Sequence, residues 1–221
     1  KIKDKIRFYY VSRPQKWQIK ILKILGVSKK KLIDSSKYKH ISADKIICID
    51  HPWYKKGYIQ NEVKKIPKWV ILINRKIFLN KSKKFNSFKK VFLDRSTSKF
   101  NHCKISNQSS LNIWLKKKSF GIYTPEKLSQ EKQIYLFKKA SIILGAHGAA
   151  LTNIIFCKPG TRVIEIIPAD HPNKKCERIS KILKLRYFRI KTKPDNSDKN
   201  FPFKIHLNKG HLKIINDKIN L

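Results

Sequence analysis

Residues 140–167 read ASIILGAHGAALTNIIFCKPGTRVIEII. Ile142, Ile143 and Leu144 form a short apolar run bounded by small residues. Arg162 to Ile167 form a β-branched run bounded by Pro159-Gly160 and Pro168. Both predict buried strands. Between them Gly145, Ala146, Gly148, Ala149 and Ala150 make a turn of small residues, followed by Leu151, Ile154 and Ile155 at helical spacing. The succession of strand, small-residue loop, helix, tight turn and strand is one βαβ unit. A loop so poor in side chains admits a ligand to the backbone, and the unpaired N–H groups of a following helix suit a phosphate. Close packing of helix on sheet also explains the small residues, but His147 is bulky and polar, and packing alone has no use for it.

Working outward, strands alternate with helices along the whole chain. Residues 6–11 predict a strand, with Ser12 capping a helix that carries Pro14 in its first turn, Trp17, Ile21 and Leu25 on one face, and Gly26 at its end. Residues 31–34 and 45–49 predict short strands, and Pro67 opens a helix over residues 69–79. Residues 80–88, with three lysines and two serines, have the composition of a linker. Residues 91–94 predict a strand with Arg95 at its carboxyl end, residues 109–118 a helix and residues 121–123 a strand. Ser129 caps a further helix. After the signature unit, residues 176–185 predict a helix, 186–190 a strand, 192–200 a polar loop and 211–219 a final helix. Such alternation argues for an α/β fold with Rossmann-like parallel sheets covered by helices on both faces. The expected division is an N-terminal α/β domain over residues 1–80, a linker over 81–90 and a C-terminal α/β domain over 91–221.

The chain has 221 residues, 41% of them hydrophobic and 11% aromatic, the composition of a globular protein rather than a basic tail. Lys and Arg number 52 against 14 acids, a net charge of +38. That charge suggests a polyanion partner. Yet almost all of it is lysine, spread from end to end, whereas bidentate phosphate and base recognition favours arginine. Trp17, Trp69, Trp114 and Phe137 sit at core spacing rather than interleaved with Arg on an exposed face, so specific nucleic-acid binding is not expected. Cys48, Cys103, Cys157 and Cys176 show no Cys-x-x-Cys pairing and no histidine at zinc spacing, and read as buried thiols in a reducing compartment. No apolar run approaches a membrane span and no signal peptide opens the chain. The expected location is cytoplasmic, with peripheral contact at an anionic membrane face. Without methionine, the chain reads as a piece of something longer.

The run from Ala140 to Pro168 resembles the signature of glycosyltransferase family 61, a Gly-x-His-Gly-Ala-x-Leu-Thr-Asn core followed by Pro-Gly and a strand carrying Glu. The matching residues are Gly145, His147, Gly148, Ala149, Leu151, Thr152, Asn153, Pro159, Gly160 and Glu165, with Ala150 where the family often has glycine. Ser12, Arg13, Pro14 and Trp17 resemble a second family feature, and Asp94-Arg95 stands where a Ser-Arg or Asn-Arg pair ends a strand. The resemblance implies a two-domain GT-B arrangement whose N-terminal domain is incomplete here, since an upstream Tyr/His-Trp-Leu-Asp-like motif is missing. It also implies transfer of a sugar from a nucleotide diphosphate to a glycan or protein hydroxyl, by an inverting reaction.

Such a reaction needs the departing diphosphate stabilised and the acceptor hydroxyl deprotonated. No Asp-x-Asp triplet offers a metal site, so no metal and no cofactor beyond a uridine-type donor is expected. The expected donor-binding residues are Gly145, His147, Gly148, Ala149, Asn153, Glu165 and Arg95. His147, the loop N–H groups and Arg95 would take the diphosphate, Arg95 contributing ~1.5–3 kcal/mol as a charge-assisted donor. Glu165, placed at the carboxyl end of its strand, would accept from ribose hydroxyls. The alternative for it is an ordinary ion pair with Arg162 or a lysine. Asn153 fits a brace for the loop. The catalytic base is open among Asp50-His51, Asp94 and His102. A binding role for His147 predicts that His147→Ala costs affinity and leaves the melting temperature almost unchanged.

Overall fold

The computed structural model describes residues 5–48, 66–98, 102–193 and 204–221. Contacts divide the chain into two compact units, Lys1–Pro52 and Trp53–Leu221.

In the first unit, β1 (Tyr9–Val11) and β2 (Leu32–Asp34) pair in parallel around α1 (Lys16–Ile24). The helix starts two residues later than Pro14 suggests, because Gln15 and Gln18 form a reciprocal capping box and Ser12 does not cap. Gly26, at φ 78°, follows the helix end as expected. Residues 45–48 are not a strand, and Ile49 lies outside the described residues. The helix buries none of its residues, and Trp17 is 57% exposed, against the core position expected of it.

The second unit is a five-stranded, wholly parallel sheet in the order β4-β3-β5-β6-β7. Its strands are β3 (Lys90–Leu93), β4 (Gly121–Tyr123), β5 (Ile142–Ala146), β6 (Arg162–Pro168) and β7 (Arg186–Thr192). Its helices are α2 (Lys68–Phe78), α3 (Gln108–Lys117), α4 (Gln130–Lys139), α5 (Lys175–Leu183) and α6 (Lys209–Asn220). Successive strand residues face opposite ways. Phe92, Ile142, Leu144, Ile164, Ile166 and Ile190 therefore share one core with Leu111 and Leu115 of α3 and Ile215 and Ile219 of α6. Leu93, Ile143, Val163 and Ile167 are left to the other face, where α4 and α5 pack on the segment 149–156. The α/β, Rossmann-like reading with helices on both faces holds.

Where the chain differs from expectation, packing explains it. The signature helix is a 3-10 helix, Ala149–Phe156. Arg75 of α2 donates to the carbonyls of Ile155 and, at 2.9 Å, Cys157, closing its carboxyl end. This contact, with Ile71 and Phe78 buried, puts α2 in the larger unit, so the contact division falls at 52/53 rather than near 81–90. The stretch of linker composition is likewise fastened down. The Lys83 N–H donates to the Glu131 carbonyl at 3.0 Å, and the Phe85 ring lies 6.2 Å from Tyr123 and 5.7 Å from Tyr135. Trp69 faces outward at 56% exposure because α2 buries only the Ile71 and Phe78 side. Among the described residues no helix is long and apolar enough to cross a membrane.

Candidate functional site

The chain runs from β3 to β4 on one side and then crosses to β5 on the other, so β3 and β5 flank the switch point of the sheet. Open α/β sheets bind ligands at the carboxyl ends of such strands. Arg95 leaves β3 here and His147 leaves β5. The Arg95 guanidinium donates to the His147 carbonyl, and the His147 N–H donates to the Ile166 carbonyl at 2.8 Å. Gly148 is needed for this approach: a Cβ there would stand 1.5 Å from Arg95 Nη1 and 2.3 Å from Cζ. Its backbone is extended, so the requirement is space rather than conformation. Gly145 similarly lets β5 approach β3, since its Cβ would meet Leu93 at 3.1 Å. Gly160, at φ 82°, makes the left-handed turn into β6. The 3-10 helix begins with Leu151 N–H donating to Gly148 O at 3.2 Å. Among the described residues, the N–H groups of Gly148 and Ala149 meet no acceptor.

His147 is 4% exposed and is not a free loop side chain. Its Nδ1 lies 2.6 Å from Glu165 Oε1. The Tyr187 hydroxyl donates to Glu165 Oε2 at 2.5 Å, and the Cys176 thiol adds a further hydrogen bond to the same carboxylate. Glu165 is the fourth of seven residues in β6, not its end, and is 1% exposed. Both oxygens are taken, so the expected contact with a ribose does not fit its position. Nor does it pair with Arg162, which donates to the Ile219 carbonyl instead. Burial alone would raise the Glu165 pKa; the hydrogen bond and charge of His147, then Tyr187 and Cys176, outweigh it and hold it below the ordinary carboxylate range. The carboxylate accepts from His147 Nδ1–H and fixes the orientation of the ring. Because removing His147 strands a buried acid, the expectation of an unchanged melting temperature for His147→Ala does not hold.

Asn153 braces the loop, donating from Nδ2 to Gln133 Oε1 of α4 at 2.9 Å. Asp94 accepts from the Ser96 N–H at 2.8 Å and hydroxyl at 3.0 Å, a local turn rather than a poised base. Asp50 and His51 lie outside the described residues.

His102 belongs to the site, together with a residue the sequence reading missed. Its Nε2 lies 3.0 Å from His171 Nε2, and the His171 ring centroid is 4.3 Å from that of His147. His171 follows β6, and its Nδ1 accepts the Asn173 N–H at 3.2 Å, so the neutral ring carries its proton on Nε2 and donates it to His102. The loop holding His102 is fixed by a parallel bridge between Ile105 and Ile205 and by Asn107, which exchanges hydrogen bonds with the Leu207 backbone. His102, Cys103 and His171 each bring a donor atom within 4.8 Å of the others, close enough for a metal ion. The chemistry argues for hydrogen bonding: His171 Nε2 bears a proton, and the neighbouring guanidinium groups of Arg95 and Arg189 repel a cation. Burial, against the pull of Arg95, pushes the Cys103 thiol up to about 12, and it also raises the thiols of Cys157 and Cys176 well above their ordinary value. These three are buried as expected; Cys48 is exposed.

Comparison with known proteins bears on this geometry. Residues 7–164 match a family model described as Glycosyltransferase 61. A Beta-1,2-xylosyltransferase of Arabidopsis thaliana is 38% identical over 60 residues, covering 27% of this chain and 11% of that protein. Beta-1,2-xylosyltransferase RCN11 of Oryza sativa subsp. japonica is 33% identical over 63 residues, 28% of this chain and 12% of the relative. The matched stretch thus spans about a tenth of either relative's length.

Proposed function

Because this chain belongs to glycosyltransferase family 61, we propose that it transfers a sugar from a nucleotide diphosphate donor to a hydroxyl of a glycan or protein, with inversion and without a divalent ion. The observation that carries the reading is the convergence of Arg95 and His147 at the switch point, with Gly148 kept bare beneath the guanidinium. The N–H groups of Gly148 and Ala149, Arg95 and His147 Nε2 take the diphosphate, whose charge grows as the sugar leaves. Gly145 sets the spacing of β5 on β3, and Asn153 steadies the loop from behind. Glu165 acts through His147, holding its ring rather than touching ligand. That both relatives are xylosyltransferases by name makes a pentosyl donor, UDP-xylose, the first to test.

Calorimetric titration with UDP, with and without EDTA, tests the site, and release of UDP from UDP-xylose in the presence of a glycan acceptor tests the reaction. Saturable UDP binding unaffected by the chelator is expected. Binding that EDTA abolishes refutes the metal-free reading, and no binding refutes the donor site.

A further inference from the structure

Helix α2 is apolar on two sides, and the fold covers one. Ile71 and Phe78 are buried, and Arg75 fastens the same side to the carbonyls of Ile155 and Cys157. Across the helix from them, Trp69, Leu72 and Ile73 are 56%, 44% and 47% exposed. They recur at spacings of three and four, with Lys76 completing the stripe, so they form one face. Anchored from behind, this face is held firmly, and among the described residues it stays open to solvent. The surrounding charge is of one sign. Residues 66–93 carry seven lysines and one arginine and no acid, and Lys68, Lys76, Lys81, Lys83, Lys84 and Lys89 are exposed. Where α2 begins, Arg178 of α5 donates from Nε to the Ile66 carbonyl at 2.7 Å. Here a shallow cleft of about 220 Å³ is lined by Lys174, Glu177, Arg178 and Lys181, three cations against one carboxylate, and Trp69 stands in the adjoining first turn of α2.

The combination selects its partner. A second copy meeting this face across a twofold axis would set lysines against lysines, which like-charge repulsion opposes. Duplex DNA would use the lysines but leave three apolar side chains in water. An anionic bilayer satisfies both kinds of group. Leu72 and Ile73 enter the boundary between headgroups and acyl chains, the Trp69 ring sits at headgroup level, and lysine stems lie along the surface with their ammonium groups on lipid phosphates. We infer that the outward face of α2, with the basic stretch that follows it, seats this unit on an anionic lipid surface. No donor-site residue lies on this face, so the two readings fail separately.

Sedimentation of the intact chain at physiological salt with vesicles of phosphatidylcholine, alone or with a third phosphatidylglycerol, tests the inference. Binding should be at least about a hundredfold tighter to the anionic vesicles, since each basic residue near such a surface contributes roughly a fivefold gain. The variant Trp69→Ala/Leu72→Ala loses only half-exposed groups, so it should unfold at the parent's temperature and bind anionic vesicles about tenfold more weakly, or worse. Leu72→Gln, which keeps the bulk of the side chain, should lose several-fold and serves if the double variant unfolds early. Trp17→Ala, in the first unit and exposed to the same degree, should bind like the parent. Equal binding to both kinds of vesicle, binding to neither, α2 variants that bind like the parent, or a Trp17→Ala loss as large as theirs each overturns the inference. So does a lipid-free dimer that the double variant dissociates, which makes the face an interface between copies. A DNA affinity that falls as far as the vesicle affinity gives the face to nucleic acid instead.

Discussion

Gly148→Ala places a methyl group where the Arg95 guanidinium now lies. The added Cβ would be 1.5 Å from Nη1 and 3.0 Å from Nη2, far inside contact distance. Alanine adopts the extended backbone at this position without strain, so the substitution acts through Arg95 rather than through the turn. The guanidinium must swing away, breaking its bond to the His147 carbonyl and leaving the diphosphate position. A hydrogen bond to a charged group contributes ~1.5–3 kcal/mol. At 1.4 kcal/mol per decade, UDP affinity should fall roughly ten- to hundredfold. Arg95→Ala should cost a similar amount. The decisive measurement is the double-mutant cycle by calorimetric titration, because in Arg95→Ala the space above Gly148 is already empty. The Gly148→Ala change should then add less than about 0.5 kcal/mol, a strong negative coupling between contacting sites. Thermal unfolding of each variant checks that the fold persists. Penalties that simply add would refute the steric link, and a Gly148→Ala protein binding UDP like the parent would refute the role of Arg95.

His147→Ala should lower both affinity and stability, the latter by about 3 kcal/mol as a buried pair is broken; thermal unfolding with and without UDP separates the two effects. Glu165→Gln keeps hydrogen-bonding capacity at His147 and should destabilise less than His147→Ala, a ranking that denaturant titration reads directly. Stability should depend on acid in two windows. His171, with its folded pKa near 4 against an unfolded value of roughly 6.5, binds its proton more readily when unfolded, so stability falls as pH drops from about 6.5 towards 4. Glu165, whose folded pKa is depressed, contributes stability above its unfolded value of roughly 4.3 that disappears at lower pH, and Glu165→Gln should blunt that second loss. The lysine-dominated charge predicts weak DNA binding whose log affinity falls linearly with log salt and which does not distinguish an oligonucleotide from its scrambled form in filter binding.

The centre of the fold was legible because β5 and β6 are apolar runs bounded by small residues and Pro-Gly, and because His147 is out of place in a loop otherwise made for packing. Arg95 could be chosen from its place at a strand end. The partners of Glu165 could not. Tyr187 reaches it through the β6–β7 register and Cys176 through the packing of α5; neither is near it in sequence. One signal was available. An acid amid Val163, Ile164, Ile166 and Ile167 in a central parallel strand is buried unless the strand ends there, and a buried acid needs donors. The tryptophans misled for the opposite reason: helical spacing specifies a face, and only tertiary contacts decide whether that face is covered.

The clasp between Ile105 and Ile205 joins segments one hundred residues apart. During synthesis from the amino terminus, β3 and its Arg95 leave the ribosome long before residues 204–208 exist to hold the loop that carries His102. At about 5–20 residues per second, seconds pass in which the nascent chain has its signature loop but not its full histidine corner. The loop that carries His102 thus takes its place only after residues 204–208 have emerged, well after the signature segment has its own strands to pair with.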